Sequence, residues 1–394
     1  MLGLGYRLTS HRRALEAMLL ANAASGIVAS VVVARSIGPA GRGYIVTLTV
    51  WGQILGWLAT LSLDKALVVL SSRNNQMVTP DEGLRAVRLP VIATSCVAVA
   101  ASIVLGDRFF ANALLTLGLA ALAVATAQAE LIGAWFLATG QRRAYIGWRI
   151  MQPALYIGIL TGIAVVMRST NLADRTVAMG VGASASMVLP VIFFSLRLGN
   201  HVRLKGRGLS VLLRFAVAAH LGTILQYLNG RLDLLALTFL ASPAALGLYS
   251  VGAALGQLSI LTANAGVVRG ITGESKATDF IGLALAAGFA VVVIVASPLV
   301  IPLVFGDQFK AAISIARILA IGGVANYLLQ AATGQLLSRR RPWMVVLSQG
   351  SGAAVFVIGI TIFRTLEGVA WSSVVSFVAS LLIAEAELRL TSRP

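Results

Sequence analysis

Arg231 and Asp233 stand in QYLNGRLDLLALTFLASPAALGLYSV, residues 226–251, with no polar loop beside them. A charge at mid-membrane depth is costly and is kept where it has a partner or a task. Glu130, in ATAQAELIGAWF, is flanked by long apolar runs on both sides. A carboxylate there can pair with Arg231, line a cavity or take up a proton. Asp64-Lys65 closes another apolar run at its cytoplasmic end, where the lysine can snorkel to the interface. Arg317 lies near the outer end of a further run, with the same choice between a helix-end role and a substrate role. Gln53, Gln226, Asn229, Gln257, Asn264, Asn326 and Gln330 add uncharged polarity that can bond between helices. The candidate path residues are Arg231, Asp233, Glu130, Asn229, Gln226, Lys65 and Arg317. Their chemistry is binding and charge compensation, not bond cleavage. There is no Asp-x-Asp and no Walker sequence, and His11, His201 and His220 are scattered, so no catalytic centre and no metal site is expected.

The elements that must hold these groups are membrane helices. The 394 residues are 58% hydrophobic and 11% charged, against about 25% charged in soluble domains. Apolar runs recur from end to end and place spans near 14–37, 44–69, 86–105, 110–138, 144–167 and 173–196. A second set follows near 218–241, 244–268, 279–302, 311–337, 342–361 and 367–385. Turns are expected at GPAGRG (38–43), Ser242-Pro243 and RRRP (339–342), and a short helix in the membrane surface at 209–217. The basic N-terminal run imitates a signal peptide but continues apolar to Ile37, as an uncleaved first span does. Cys96 is read as a small buried residue, with no disulfide framework. The formal net charge of +17 sorts by loop parity: 21 of the 31 Lys and Arg, Arg149 among them, fall on one side and seven, Arg42 among them, on the other. That bias puts both termini in the cytoplasm and assigns the charge to loops rather than to nucleic acid.

The two sets of six look like copies. GPAGRGY (38–44) matches SPAALGLY (242–249), LGDRFFANA (105–113) matches FGDQFKAAI (305–313), and ATGQRR (138–143) matches ATGQLLSRR (332–340). The order is the same and the offsets run from 205 down to 194, as parallel repeats related by a pseudo-twofold axis along the membrane normal would give. Arg231 then lies roughly 15 Å from the outer end of its span and roughly 20 Å from the inner end. The first-half counterparts of Arg231 and Asp233 are Ile27 and Ala29, so this charge belongs to the second half alone. Two residues apart on a helix, Arg231 and Asp233 do not face each other, although Gly230 can bend the chain. A lock between helices and a place on a substrate path both stay open for them.

ARSIGPAGRGYIVTLTVWGQILGWLATLSLDKALV resembles the first-helix-pair region, and NGRLDLLALTFLASPAALGLYSVGAAL the matching seventh-to-eighth helix region, of bacterial polysaccharide exporters and O-antigen flippases, within the multidrug/oligosaccharidyl-lipid/polysaccharide exporter superfamily. The resemblance implies an all-α polytopic membrane protein of about twelve helices, in two six-helix bundles (1–205 and 206–394) around a central cavity. It implies secondary transport in the bacterial inner membrane, powered by a proton, a sodium ion or the membrane potential. The implied cargo is an undecaprenyl-pyrophosphate-linked glycan moved between leaflets for polysaccharide or lipopolysaccharide synthesis. Membrane lipids and a glycan polymerase or chain-length protein are the further implied partners. The alternatives are a drug or small-metabolite exporter of the same superfamily, and a membrane-embedded transferase or scaffold of envelope glycan synthesis.

Overall fold

The computed structural model describes residues 2–71, 79–197, 208–256, 258, 280–338 and 341–390, and every regular element among them is helical. The helices are α1 (Leu2–Thr60), α2 (Leu63–Leu70), α3 (Pro80–Phe109), α4 (Ala113–Ala138), α5 (Arg142–Val166), α6 (Leu172–Arg197), α7 (Gly208–Asn229), α8 (Leu232–Leu240) and α9 (Pro243–Gly256). After these come α10 (Phe280–Val300), a π turn (Ile301–Phe305), a 3-10 turn (Asp307–Phe309), α11 (Ala312–Ser338), α12 (Pro342–Ile362) and α13 (Leu366–Leu390). Nine helices among the described residues are long and apolar enough to cross a membrane. Large apolar side chains such as Val104, Val166, Val295 and Leu299 are exposed, which is the surface that lipid rather than water covers. This is a multi-pass membrane protein.

The chain divides into two compact units, residues Met1–Ser36 with Thr47–His220 and residues Ile37–Val46 with Leu221–Pro394. In the first, α4 is the most buried span, and in the second it is α11. Glycines let each be approached closely. A Cβ at Gly52 or Gly56 would strike Leu122 or Thr126 of α4, and one at Gly252 or Gly256 would strike Ile315 or Leu319 of α11.

Several expectations are corrected by local backbone chemistry. The expected turn at 38–43 is a kink inside one long helix. Gly38 takes φ 64°, which glycine tolerates, and Pro39 opens the next turn, where a missing N–H costs nothing. The next break falls at Leu61 and Ser62, both at positive φ, which starts α2. The expected surface helix at 209–217 is the beginning of α7, with Leu212 and Ala216 buried in the first unit's core. The expected span at 218–241 breaks at Gly230-Arg231, between α7 and α8. Ser242 caps α9 by accepting from the Ala245 N–H at 3.3 Å. Cys96 is exposed, not buried. Residues 257 and 259–279, with Gln257 and Asn264, lie outside the described residues.

Matching helices repeat at nearly constant spacing: Pro80 and Phe280, Ala113 and Ala312, and Arg142 and Pro342 open α3/α10, α4/α11 and α5/α12, an offset of 199–200. The ATGQ match is therefore not equivalent. Thr139-Gly140-Gln141 ends α4, with Gly140 at φ 73°, whereas Thr333-Gly334-Gln335 lies inside α11. The GPAGRGY and SPAALGLY match is sound, and reciprocal within the second unit. A Cβ on Gly43 would strike the Pro243 carbonyl, and one on Gly247 the Pro39 carbonyl. Beside this crossing Arg42, expected in a loop, is buried and donates from Nε to Ser250 Oγ at 2.7 Å.

Candidate functional site

In the first unit the polar groups gather on α4, α5 and α2. Glu130, half-buried on α4, accepts from Arg149 Nη2 at 3.1 Å. Arg149 Nε also donates to Tyr145 Oη at 3.2 Å, and its guanidinium carbon sits 5.5 Å from that ring's centroid. Tyr145 and Arg149 are one turn apart on α5, so a single helix face presents both. Glu130 is near enough to act electrostatically on Asp64 and Lys65 at the start of α2. Ser62 Oγ, just before α2, lies 3.1 Å from His220 Nδ1 on α7. Glu130 thus takes Arg149 as its partner, and Arg149, expected in a loop, lies within a helix.

In the second unit the candidate residues are uncharged amides, Arg231, Arg317 and the carboxylate of Asp233. Asn229, buried at the end of α7, donates from Nδ2 to Gln349 Oε1 at 2.8 Å and to Ser380 Oγ at 3.3 Å, and accepts from Ser376 Oγ at 2.8 Å. Gly352 makes room for this junction, since a Cβ there would strike Ser380 Oγ. Gln226 Nε2 donates to Gln330 Oε1 at 2.7 Å, and Gln330 Nε2 to Asn326 Oδ1 at 3.2 Å. Asp233 is buried and accepts from the Tyr249 hydroxyl and from the Leu234 N–H, both at 2.8 Å. Arg231 sits at the helix break with its carbonyl accepting the Leu235 N–H at 3.0 Å. Among the described residues no ion pair joins Arg231 to Asp233.

Of the candidate residues, Gln226 and Asn229 enter separate amide networks, Lys65 joins the surroundings of Glu130, and Asp233 is held by a tyrosine. Arg317 is exposed and donates from Nε to the Ile294 carbonyl of α10 at 3.1 Å, a tie between neighbouring helix ends. Sequence reasoning missed Arg149, Tyr145, Gln349, Ser376 and Ser380. Their signals were spacing signals: Tyr145 and Arg149 four apart, and Ser376 and Ser380 four apart. Among the described residues no group of three or more His, Cys, Asp or Glu is placed to hold a metal ion.

No family model and no curated protein matches the sequence. Solved structures do match in shape. The MATE multidrug transporter DinF-BH in complex with rhodamine 6G has a TM-score of 0.68 at 15% identity, over 97% of this chain and 95% of that one. An inward-facing multidrug resistance MATE family transporter of the MOP superfamily has 0.65 at 13%, over 95% and 94%. The eukaryotic MATE transporter AtDTX14 has 0.59 at 13%, over 98% and 96%. These neighbours correct the expected cargo. The flippase assignment, the undecaprenyl-pyrophosphate-linked glycan with its polymerase or chain-length partner, and the place in polysaccharide and lipopolysaccharide synthesis are withdrawn, since the matching structures are those of multidrug transporters. The chain has an all-α polytopic membrane fold like that of the solved MATE transporters.

Proposed function

We propose that the chain is a secondary transporter that exports small organic molecules, drugs or metabolites, by alternating access of its two halves, 1–205 and 206–394. Its setting is a bacterial cytoplasmic membrane with both termini inside, and its energy comes from a proton gradient, a sodium gradient or the membrane potential. The observation that carries this reading is the likeness to multidrug transporters over 95% or more of the chain. In the first half we assign charge compensation and ion linkage to Glu130, Arg149, Asp64 and Lys65. A carboxylate that exchanges an arginine for a proton or a sodium ion gives a transporter two states of different charge. In the second half we place Arg231 and Asp233 on the path at the break between α7 and α8, with Gln226 and Asn229 one turn or less before it. Arg317 is given a helix-end role.

The test is uptake of two dye cations, rhodamine 6G and ethidium, by proteoliposomes under imposed proton, sodium or potential gradients. Uptake that needs both the protein and one of the gradients is the expected result. Dye movement no faster than in protein-free liposomes under every gradient, with the protein folded, overturns the proposal.

A further inference from the structure

The Glu130–Arg149 pair borders a niche that neither residue fills. Tyr145, Trp148, Arg149 and Gln152 follow the i, i+3, i+4, i+7 spacing of one continuous face of α5. Opposite them on α4 lies Gly133, three residues after Glu130. A Cβ built on Gly133 would sit 3.6 Å from the Tyr145 ring, 3.8 Å from Trp148 Nε1 and 3.9 Å from Arg149 Nη2. Those are ordinary contact distances. Helix crossing therefore does not demand glycine here, in contrast to Gly52 and Gly56, where a Cβ would strike α4. The space over Gly133 is surplus to packing.

A donor without an acceptor lines it, and a second lies one turn further along the same helix face. Trp148 is 1% exposed, and its Nε1–H has no hydrogen-bond partner among the described residues. Buried indole N–H groups normally find one, and leaving such a group unmatched is costly. The ring cannot turn away easily, because Phe194 packs edge-on against it at 5.0 Å. Gln152 Nε2, one turn further along, is a second buried donor without a partner. The side chains of Arg149 and Glu130 beside the niche are 29% and 21% exposed, so the pair that borders it is not sealed.

The complement of two neutral N–H donors beside a neutralised ion pair is a hydrogen-bond acceptor without need of charge. We infer that the niche over Gly133 is a cargo subsite that receives one protruding carbonyl oxygen of a small organic molecule, taken by Trp148 Nε1–H with Gln152 Nε2 as second donor. This rests on the transport reading above and narrows it to carbonyl-bearing cargo. Tyr145, already against the arginine, offers a flat apolar wall to the rest of the molecule.

Gly133→Ala fills the niche without a clash and favours the helix, and Trp148→Phe removes the donor while keeping an aromatic ring. Both are compared with wild type for gradient-driven uptake of rhodamine 6G, which carries an ester carbonyl, and of ethidium, which has no oxygen. Rhodamine 6G uptake is expected to fall about tenfold in both variants, the loss of one good hydrogen bond, with ethidium uptake unchanged within about twofold. Equal loss of both dyes makes the two residues structural, and no loss of either makes the niche a place for water. Either result overturns the inference and leaves transport standing. Wild-type protein that moves neither dye overturns both. Should Trp148→Phe fail to fold, Gly133→Ala decides alone.

Discussion

The offset of 200 at which α5 and α12 open, and at which α4 and α11 end, sets Glu130 against Gln330 and Arg149 against Gln349. The same two stations hold an ion pair in the first half and two amides in the second. At the station of Arg149 and Gln349 the difference follows burial. Glu130 and Arg149 are partly exposed, whereas Gln349 is 1% exposed and bonded to Asn229, with Thr333 Oγ1 3.5 Å away. An ion pair is tolerable where solvent or a cavity reaches it, and an amide costs far less to desolvate where nothing does. A duplicated scaffold has thus been specialised at matched positions. The first half keeps groups that can change charge. At these two stations the second keeps groups that can only exchange hydrogen bonds.

The strongest way to break the comparison is to force the first half's chemistry on the second. Gln349→Arg places an unpaired cation at a site with no solvent and removes an acceptor from Asn229. The expected cost is several kcal/mol, and folded, monodisperse protein should be lost in size-exclusion chromatography after detergent extraction. Retention of the wild-type profile would show that the second station is wetter than its burial indicates.

The converse change should be milder. Arg149→Gln leaves the Glu130 carboxylate without its partner and is expected to cost about 1–3 kcal/mol, since the pair is only partly buried. Glu130→Gln added to it puts amides at both stations, as in the second half, removes the unpaired carboxylate and should recover most of that loss in thermal unfolding. Gradient-driven uptake should stay low in the double variant, because stability returns without the titratable group. A double variant that regains ion-driven uptake would remove Glu130 from the coupling.

Much of this contrast is written in the sequence, though not all at the same level. Long apolar runs located the spans, and Glu130 and Asp233 stood out because a carboxylate is rare at that depth. Their partners did not stand out. Arg149 follows a basic loop closely, so a tally by loops absorbed it, and Arg42 was lost in the same way. Loop parity reads charge along the chain, while burial is decided by which helix comes alongside. The breaks at Leu61-Ser62 and Arg231 were also hidden, because apolar pattern continues through a backbone kink. ATGQ misled for a related reason: four identical residues end one helix and continue another, according to the turn that follows.

The smallest expected effect separates path from packing. Gln226 and Gln330 are half-buried, and their 2.7 Å bond is a single interhelical contact in the second half. Such bonds contribute about 0.6 kcal/mol in membrane proteins, since freed partners find substitutes. Gln226→Leu should therefore shift the Tm by no more than about 2 °C in a chain of this size. Transport need not follow stability. If Gln226 lines the path beside the break at Arg231, uptake should fall about fivefold or more while the Tm stays put, because a cargo contact is lost and the scaffold is not. Unchanged uptake would confine the second half's amides to holding helices together, and the difference between the halves would then be one of function as well as charge.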